Sequence, residues 1–118
     1  MAAHRRAQGE EGHAARAIEL QQLALKEAMR AAIEVRDFSG ATDKLHEFET
    51  IGMPRQMQPS ILVLTGRLAH GLGKNEEAMR AFRAAAETAD RPAAAQGQLR
   101  EIALHYGLGD FKRPEVIA

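Results

Sequence analysis

The chain has 118 residues, which is enough for one domain with a modest hydrophobic core. Its 16 Lys and Arg residues balance its 16 Asp and Glu residues, so no net charge draws it to nucleic acid or to an anionic membrane. The absence of Cys excludes disulfides and thiolate metal sites. Because the apolar stretches are also short and broken by charges, we expect a cytoplasmic protein without a membrane-spanning helix.

The N-terminal half predicts a lead-in followed by two helices. Residues 1–13 are polar and contain two glycines, which is typical of a flexible lead-in. Ile18, Leu25 and Met29 then share one stripe at helical spacing, and Ser39 is in place to cap a second helix. These helices are predicted over about residues 14–36 and 41–50.

The C-terminal half predicts three more helices. Pro59 suits the first position of the third helix, Asn75 suits the cap of the fourth, and Asp90–Pro92 ends the fourth. These helices are predicted over about residues 59–70, 75–88 and 93–106. Residues 107–118 form a tail or a shortened repeat, since Pro114 resembles the start of a further helix that soon ends.

Residues of similar size recur at an offset of 37 residues, in both helices of each pair. The first-helix matches are Leu25 with Leu62 and Leu99, Met29 with Gly66 and Ala103, and Ala32 with Ala69 and Tyr106. The second-helix matches are Ala41 with Ala78, Leu45 with Phe82, and Phe48 with Ala85. Stacked helix pairs need this alternation, because small residues let helices approach and large ones fill the space opposite.

The second pair resembles the tetratricopeptide repeat family over slots that the family fills in order with large, small, large, turn, small, aromatic and small residues. The slots are Leu62, Gly66, Ala69, Gly73, Ala78, Phe82 and Ala85, of which Ala69 departs from the usual Tyr. The resemblance extends over about residues 22–106 and implies an all-α domain, residues 14–106, of about five helices stacked as antiparallel hairpins. It also implies a concave groove, lined by the first helix of each pair, that holds another polypeptide.

Carried over by slot, the groove presents basic and apolar side chains together. They are Leu23, Lys26, Arg30, Ile33, Glu34, Ser60, Val63, Arg67, His70, Arg100 and Leu104. Guanidinium and ammonium groups bind carboxylates, so we expect an adaptor or small chaperone for an acidic or amphipathic polypeptide. The alternative interpretation is that the arginines are ordinary surface charges, paired with Glu27, Glu34 and Glu101.

Neither a catalytic constellation nor a metal-binding spacing is present in the sequence. His46, His70 and His105 have no second His one turn away. Glu101 and His105 do lie one turn apart, but a lone pair of this kind is more typical of a surface contact. We therefore expect a protein that is not an enzyme and that binds neither a metal nor a cofactor.

Two further hypotheses concern the C-terminal end. Residues 100–108 resemble the first helix and turn of a helix-turn-helix, which would make the protein a DNA-binding regulator. Arg113 and Pro114 disfavour the second helix of that motif, and the neutral charge disfavours nucleic acid as a partner. If the repeat is shortened instead, Ile102 and Tyr106 form an exposed apolar edge, suited to a homodimer or to a docked partner.

Overall fold

The computed structural model describes the backbone of residues 2–107 and the side chains of residues 12–107. The predicted all-α class is confirmed, and the described residues contain no strand. The helices are α1 (Ala2–Glu34), α2 (Phe38–Ile51), α3 (Gln58–Gly71), α4 (Asn75–Ala86) and α5 (Arg91–His105), with a 3₁₀ turn at Arg55–Met57. None of these helices is long and apolar enough to cross a membrane. The predicted tail lies outside the described residues, apart from Gly107.

Helix α1 begins at Ala2, well before the start near residue 14 that the sequence predicts. Two glycines, Gly9 and Gly12, do not interrupt it, because each costs only about 1 kcal/mol relative to alanine and the surrounding residues are good helix formers. The side chains of residues 12–21 are all exposed. The first buried side chain among the described residues is that of Gln22, whose Nε2 donates to the carbonyl oxygen of Gly52 at 3.0 Å. The side chains of residues 12–21 therefore contribute nothing to the buried core.

The turn after the first helix of each pair has the same backbone conformation. Arg36, Gly73 and Gly107 have positive φ angles of 62°, 78° and 67° and follow the ends of α1, α3 and α5. In each turn the N–H of this left-handed residue donates to the carbonyl three residues earlier, at 3.0, 3.0 and 3.2 Å. This arrangement ends each of the three helices, and after α1 and α3 the chain reverses into α2 and α4.

The N-terminal caps differ from two of the predictions. Asp37, not Ser39, caps α2 by accepting a hydrogen bond from the Gly40 N–H at 3.0 Å. Asn75 is the first residue of α4, and the cap position holds Lys74, which makes no side-chain cap bond. Both predictions were wrong for the same reason: only one residue separates the left-handed turn residue from the next helix, and that residue must be the cap.

Helices α1 and α2, α3 and α4, and α4 and α5 pack against each other most extensively, as stacked helical hairpins do. The small residues of the repeat lie at these contacts: Ala41 and Ala78 are fully buried. A Cβ atom at Gly66 would collide with the ring of Phe82, so glycine is what allows this ring to lie between α3 and α4. In the first hairpin the fully buried aromatic ring is that of Phe48, which occupies the repeat position of Ala85 rather than that of Phe82.

Helices α4 and α5 also meet at a glycine that the repeat pattern does not predict. A Cβ at Gly97 would lie against the carbonyl oxygen of Phe82 and the backbone nitrogen of Ala86. Backbone atoms cannot move aside as a flexible side chain can, so Gly97 sets the distance between these two helices.

Candidate functional site

A cleft of about 240 Å³ lies between α1, α3 and α5, the first helices of the successive pairs. Its lining combines an apolar floor with polar and charged side chains at the rim. The lining residues are Lys26, Glu27, Arg30, Ser60, Val63, Leu64, Pro92, Ala93 and Gln96.

Each helix contributes one face to this cleft. Lys26 and Arg30 are one turn apart on α1, and Ser60 and Leu64 are one turn apart on α3, so each pair projects on the same side. Gln96 lies on α5 one turn after Pro92. The arrangement follows from the stacking, because α3 lies between α1 and α5 and contacts both.

The structure brings part of the predicted groove together. Lys26, Arg30, Ser60 and Val63 line the cleft, although Val63 is 9% exposed and contributes mainly through its outer surface. The other predicted residues lie outside its lining. Leu23, Glu34 and His70 are exposed, Arg67 and Arg100 are partly buried, and Ile33 and Leu104 pack into the core.

Ile33 and Leu104 have structural positions that explain why they do not form the groove. Ile33 is 6% exposed and belongs to the cluster that joins α1, α2 and α3. Leu104 packs against Ala69, Ala78 and Phe82 at the centre of the α3, α4 and α5 contact. Both side chains are therefore occupied in holding the helices together.

Two of the predicted groove arginines are paired with glutamates. The Arg67 Nη2 atom lies 2.7 Å from Glu34 Oε1 and links α3 to α1. Arg30 Nε lies 2.8 Å from Glu27 Oε2 within α1. The hydrogen bond and the charge of Glu27 raise the pKa of Arg30 above its ordinary value, so Arg30 stays charged. These pairs are those of the alternative interpretation, and they reduce the positive charge that the arginines present.

Lys26 is the exception among the basic groups at the cleft. It is partly buried at the rim, and within residues 12–107 it forms no ion pair. Arg100, by comparison, donates from Nε to Gln96 Oε1 at 3.1 Å, which fixes the amide group beside the cleft. The positive charge offered to a ligand here is therefore concentrated at Lys26.

Leu64, Pro92, Ala93 and Gln96 line the cleft but were not predicted as groove residues. From the sequence, Asp90–Pro92 is expected only to end the fourth helix. Asp90 in fact caps α5, accepting the Ala93 N–H at 3.0 Å, and Pro92 lies in the first turn. An Asp followed by Pro at the start of a helix is a recognised pattern, and it could have located this edge of the cleft.

The remaining predicted candidates are placed as follows. Within the described part of the chain, no group of three or more His, Cys, Asp or Glu residues is arranged to hold a metal ion. Glu101 does not join His105, because its Oε1 atom accepts from Arg83 Nε at 2.6 Å. The first helix of the proposed helix-turn-helix is the end of α5, and its second helix would lie outside the described residues.

Compared with protein-family models, with curated proteins and with solved structures, the chain gives no significant match. The resemblance to tetratricopeptide repeats therefore depends on the residues and their packing.

Proposed function

We propose that this chain is a non-enzymatic, tetratricopeptide-like binding module that works in the cytoplasm as an adaptor or small chaperone. Its ligand is a segment of another polypeptide, and its binding site is the cleft between α1, α3 and α5. The observation that carries the proposal is this cleft, which combines an apolar floor with a lysine at its rim that forms no ion pair within residues 12–107.

The dimensions of the cleft favour a side chain of a polypeptide over an enclosed small molecule. Pockets that surround drug-sized ligands have volumes of about 300–1,000 Å³, and this cleft, at about 240 Å³, is smaller. Val63, Leu64 and Pro92 offer an apolar surface for one or two anchoring side chains. Ser60 and Gln96 supply polar groups that suit the adjacent backbone of a ligand.

The charge at the rim favours an acidic residue beside that apolar anchor. Within residues 12–107 the Lys26 ammonium group forms no ion pair, while Glu27 already accepts from Arg30. A carboxylate that approaches Lys26 meets no competing acid bound to it among the described residues. The proposed ligand is therefore an amphipathic segment with leucine and glutamate on one face.

The experiment titrates the purified chain with two labelled helical peptides and measures fluorescence anisotropy. One peptide presents Leu and Glu on one face, and the other has Gln in place of each Glu. The Glu peptide should bind more tightly, and Lys26→Gln should weaken its binding by about fivefold, which is the size expected of a single exposed charge pair.

Lys74→Gln is the matched control, because it removes the same charge from an exposed turn outside the cleft lining. It should leave the affinity unchanged. If both variants lost affinity for the Glu peptide equally, binding would depend on net charge and not on the cleft. Failure of both peptides to bind the unmodified chain would contradict the proposal.

A further inference from the structure

The side chains along the cleft between α1, α3 and α5 offer a ligand mainly hydrogen-bond donors. Lys26 can only donate, and among the described residues its ammonium group forms no ion pair. The acidic side chain of the lining, Glu27, forms an ion pair with Arg30 at 2.8 Å, which offsets its charge. Whether the cleft also offers a ligand a free acceptor on α5 therefore depends on how the amide of Gln96 is turned.

The orientation of the Gln96 amide is set by Arg100, which lies one turn later on α5. Arg100 Nε donates to Gln96 Oε1 at 3.1 Å. Because an arginine has no acceptor, the amide oxygen is the atom that must face it. The amide nitrogen of Gln96 has no partner in the described part of the chain. That nitrogen is open to solvent, since no buried side-chain nitrogen or oxygen of the described residues lacks a partner. Gln96 therefore presents N–H groups at the cleft.

Lys26 and Gln96 lie on opposite walls of the cleft. Helices α1 and α5 each pack against α3, whereas α1 and α5 have no close backbone contact with each other. The α3 side chains Val63 and Leu64 therefore form the floor between the two walls. It follows that a donor stands on each side of the apolar surface that receives the anchoring side chain of a ligand.

We propose that the ligand carries an acidic side chain on each side of its apolar anchor, with one carboxylate at Lys26 and a second that accepts from Gln96 Nε2. This inference rests on the proposed binding of an amphipathic segment in the cleft, and it adds a second point of recognition there. In a helical ligand the backbone carbonyls are bonded within the helix, so the acceptor available to Gln96 is a side chain. A carboxylate is selected over an amide, because hydrogen bonds to an ionised group are the stronger ones.

The experiment compares labelled helical peptides by fluorescence anisotropy. The double-Glu peptide has Glu, Leu and Glu at positions i, i+4 and i+7, which share one face of a helix. Two single-Glu peptides each have Gln in place of one of these Glu residues, so that either direction of binding is covered. The double-Glu peptide should bind about fivefold more tightly than the better single-Glu peptide, which is the effect of one partly exposed hydrogen bond to a charged group.

Two substitutions at Gln96 test the contact. Gln96→Glu keeps an acceptor for Arg100 but places a carboxylate oxygen where the N–H groups stood, so the double-Glu peptide should lose its fivefold preference. Gln96→Met removes the N–H groups without adding charge and should also abolish the preference. Gln98→Glu is the matched control, because it adds the same charge to an exposed position of α5 outside the cleft lining. It should retain the preference.

The outcomes separate this inference from the proposed function. Equal affinity of the unsubstituted chain for the double-Glu and single-Glu peptides would overturn the inference. The proposed function would still stand in that case if Lys26→Gln weakened the binding of all three peptides. Loss of the preference in Gln98→Glu as well would also overturn the inference, because net charge would then explain the selection. If none of the peptides binds, the proposed function and this inference fail together.

Discussion

At the scale of single residues, one helical glycine lies against a neighbouring helix and another has open space around it. A Cβ at Gly97 would meet backbone atoms of α4, whereas a Cβ at Gly12 would have nothing within 4 Å. We expect Gly97→Ala to lower the free energy of unfolding by about 1–3 kcal/mol, because the added methyl separates α4 from α5. Gly12→Ala adds the same methyl and should cause no loss, since alanine is the better helix former. Urea denaturation of both variants measures the difference, and a tolerated Gly97→Ala would contradict the close approach.

Arg67 has a different role from the one its sequence position indicates. Its side chain is 18% exposed and joins α3 to Glu34 of α1. We expect Arg67→Glu to destabilise the fold by about 1 kcal/mol, since two carboxylates would then face each other in a partly screened position. The double variant Arg67→Glu with Glu34→Arg should recover most of that loss in the same denaturation experiment. If Arg67→Glu left stability unchanged, the pair would contribute nothing to the contact between α1 and α3.

At the scale of the helices, α1 consists of two parts with different support. Residues 25–33 include Leu25, Met29 and Ile33, which are 7%, 0% and 6% exposed, whereas residues 12–21 have only exposed side chains. Isolated helical segments are marginally stable in water. We therefore expect the amides of residues 12–21 to exchange with solvent at least about a hundredfold faster than those of residues 25–33.

Hydrogen exchange monitored by NMR makes this comparison, and dilution is its control. Equal protection along α1 would contradict the expectation. If that protection fell on dilution, a second copy of the chain would be covering Ile18 and Leu20, which are 48% and 57% exposed.

The contrast between segments with buried side chains and segments with exposed ones explains which helices could be predicted from the sequence. The pairing of α3 with α4 can be predicted from Gly66, Ala78 and Phe82, because small residues matched with a large one indicate that two helices contact each other at these positions. The start of α1 could not be predicted in this way, since no buried side chain marks it among residues 12–21. The cap of α2 was missed because it depends on the left-handed turn at Arg36, which is a non-glycine residue in a conformation that sequence rarely indicates.

The candidate site was predicted less completely than the fold. Helical spacing places Lys26 and Arg30 on one face of α1, and both line the cleft. Spacing does not reveal that Arg67 reaches Glu34, because these residues are 33 positions apart and their meeting depends on how α1 and α3 stack. Ile33 was assigned to the groove for a related reason: the width of the buried stripe depends on where α2 and α3 contact α1.

At the scale of the whole molecule, α3 is the helix that joins all the core clusters. Ile61, Leu64 and Leu68 contribute to the cluster with α1 and α2. Val63 contributes to the cluster with Ala85 and Ala93. The dimensions of 69 × 29 × 22 Å show an elongated molecule, but no described hairpin has a core independent of α3. Loss of packing in one hairpin should therefore weaken the other.

Phe48→Leu tests this coupling, because Phe48 is fully buried between α1 and α2 and lies in a different hairpin from α5. Phe48→Leu should lower the free energy of unfolding by about 1 kcal/mol. Amides that exchange only on global unfolding should then exchange about fivefold faster. If the hairpins unfold together through α3, the amides of Gly97–Ala103 in α5 should accelerate by the same factor as those of α2. If only the α2 amides accelerate, each hairpin unfolds separately, as in repeat arrays in which each unit is stabilised by its nearest neighbours. If the chain unfolds as one unit, the faces of α1, α3 and α5 that line the cleft keep fixed positions relative to one another. If the hairpins unfold separately, the cleft opens and closes between α1 and α3.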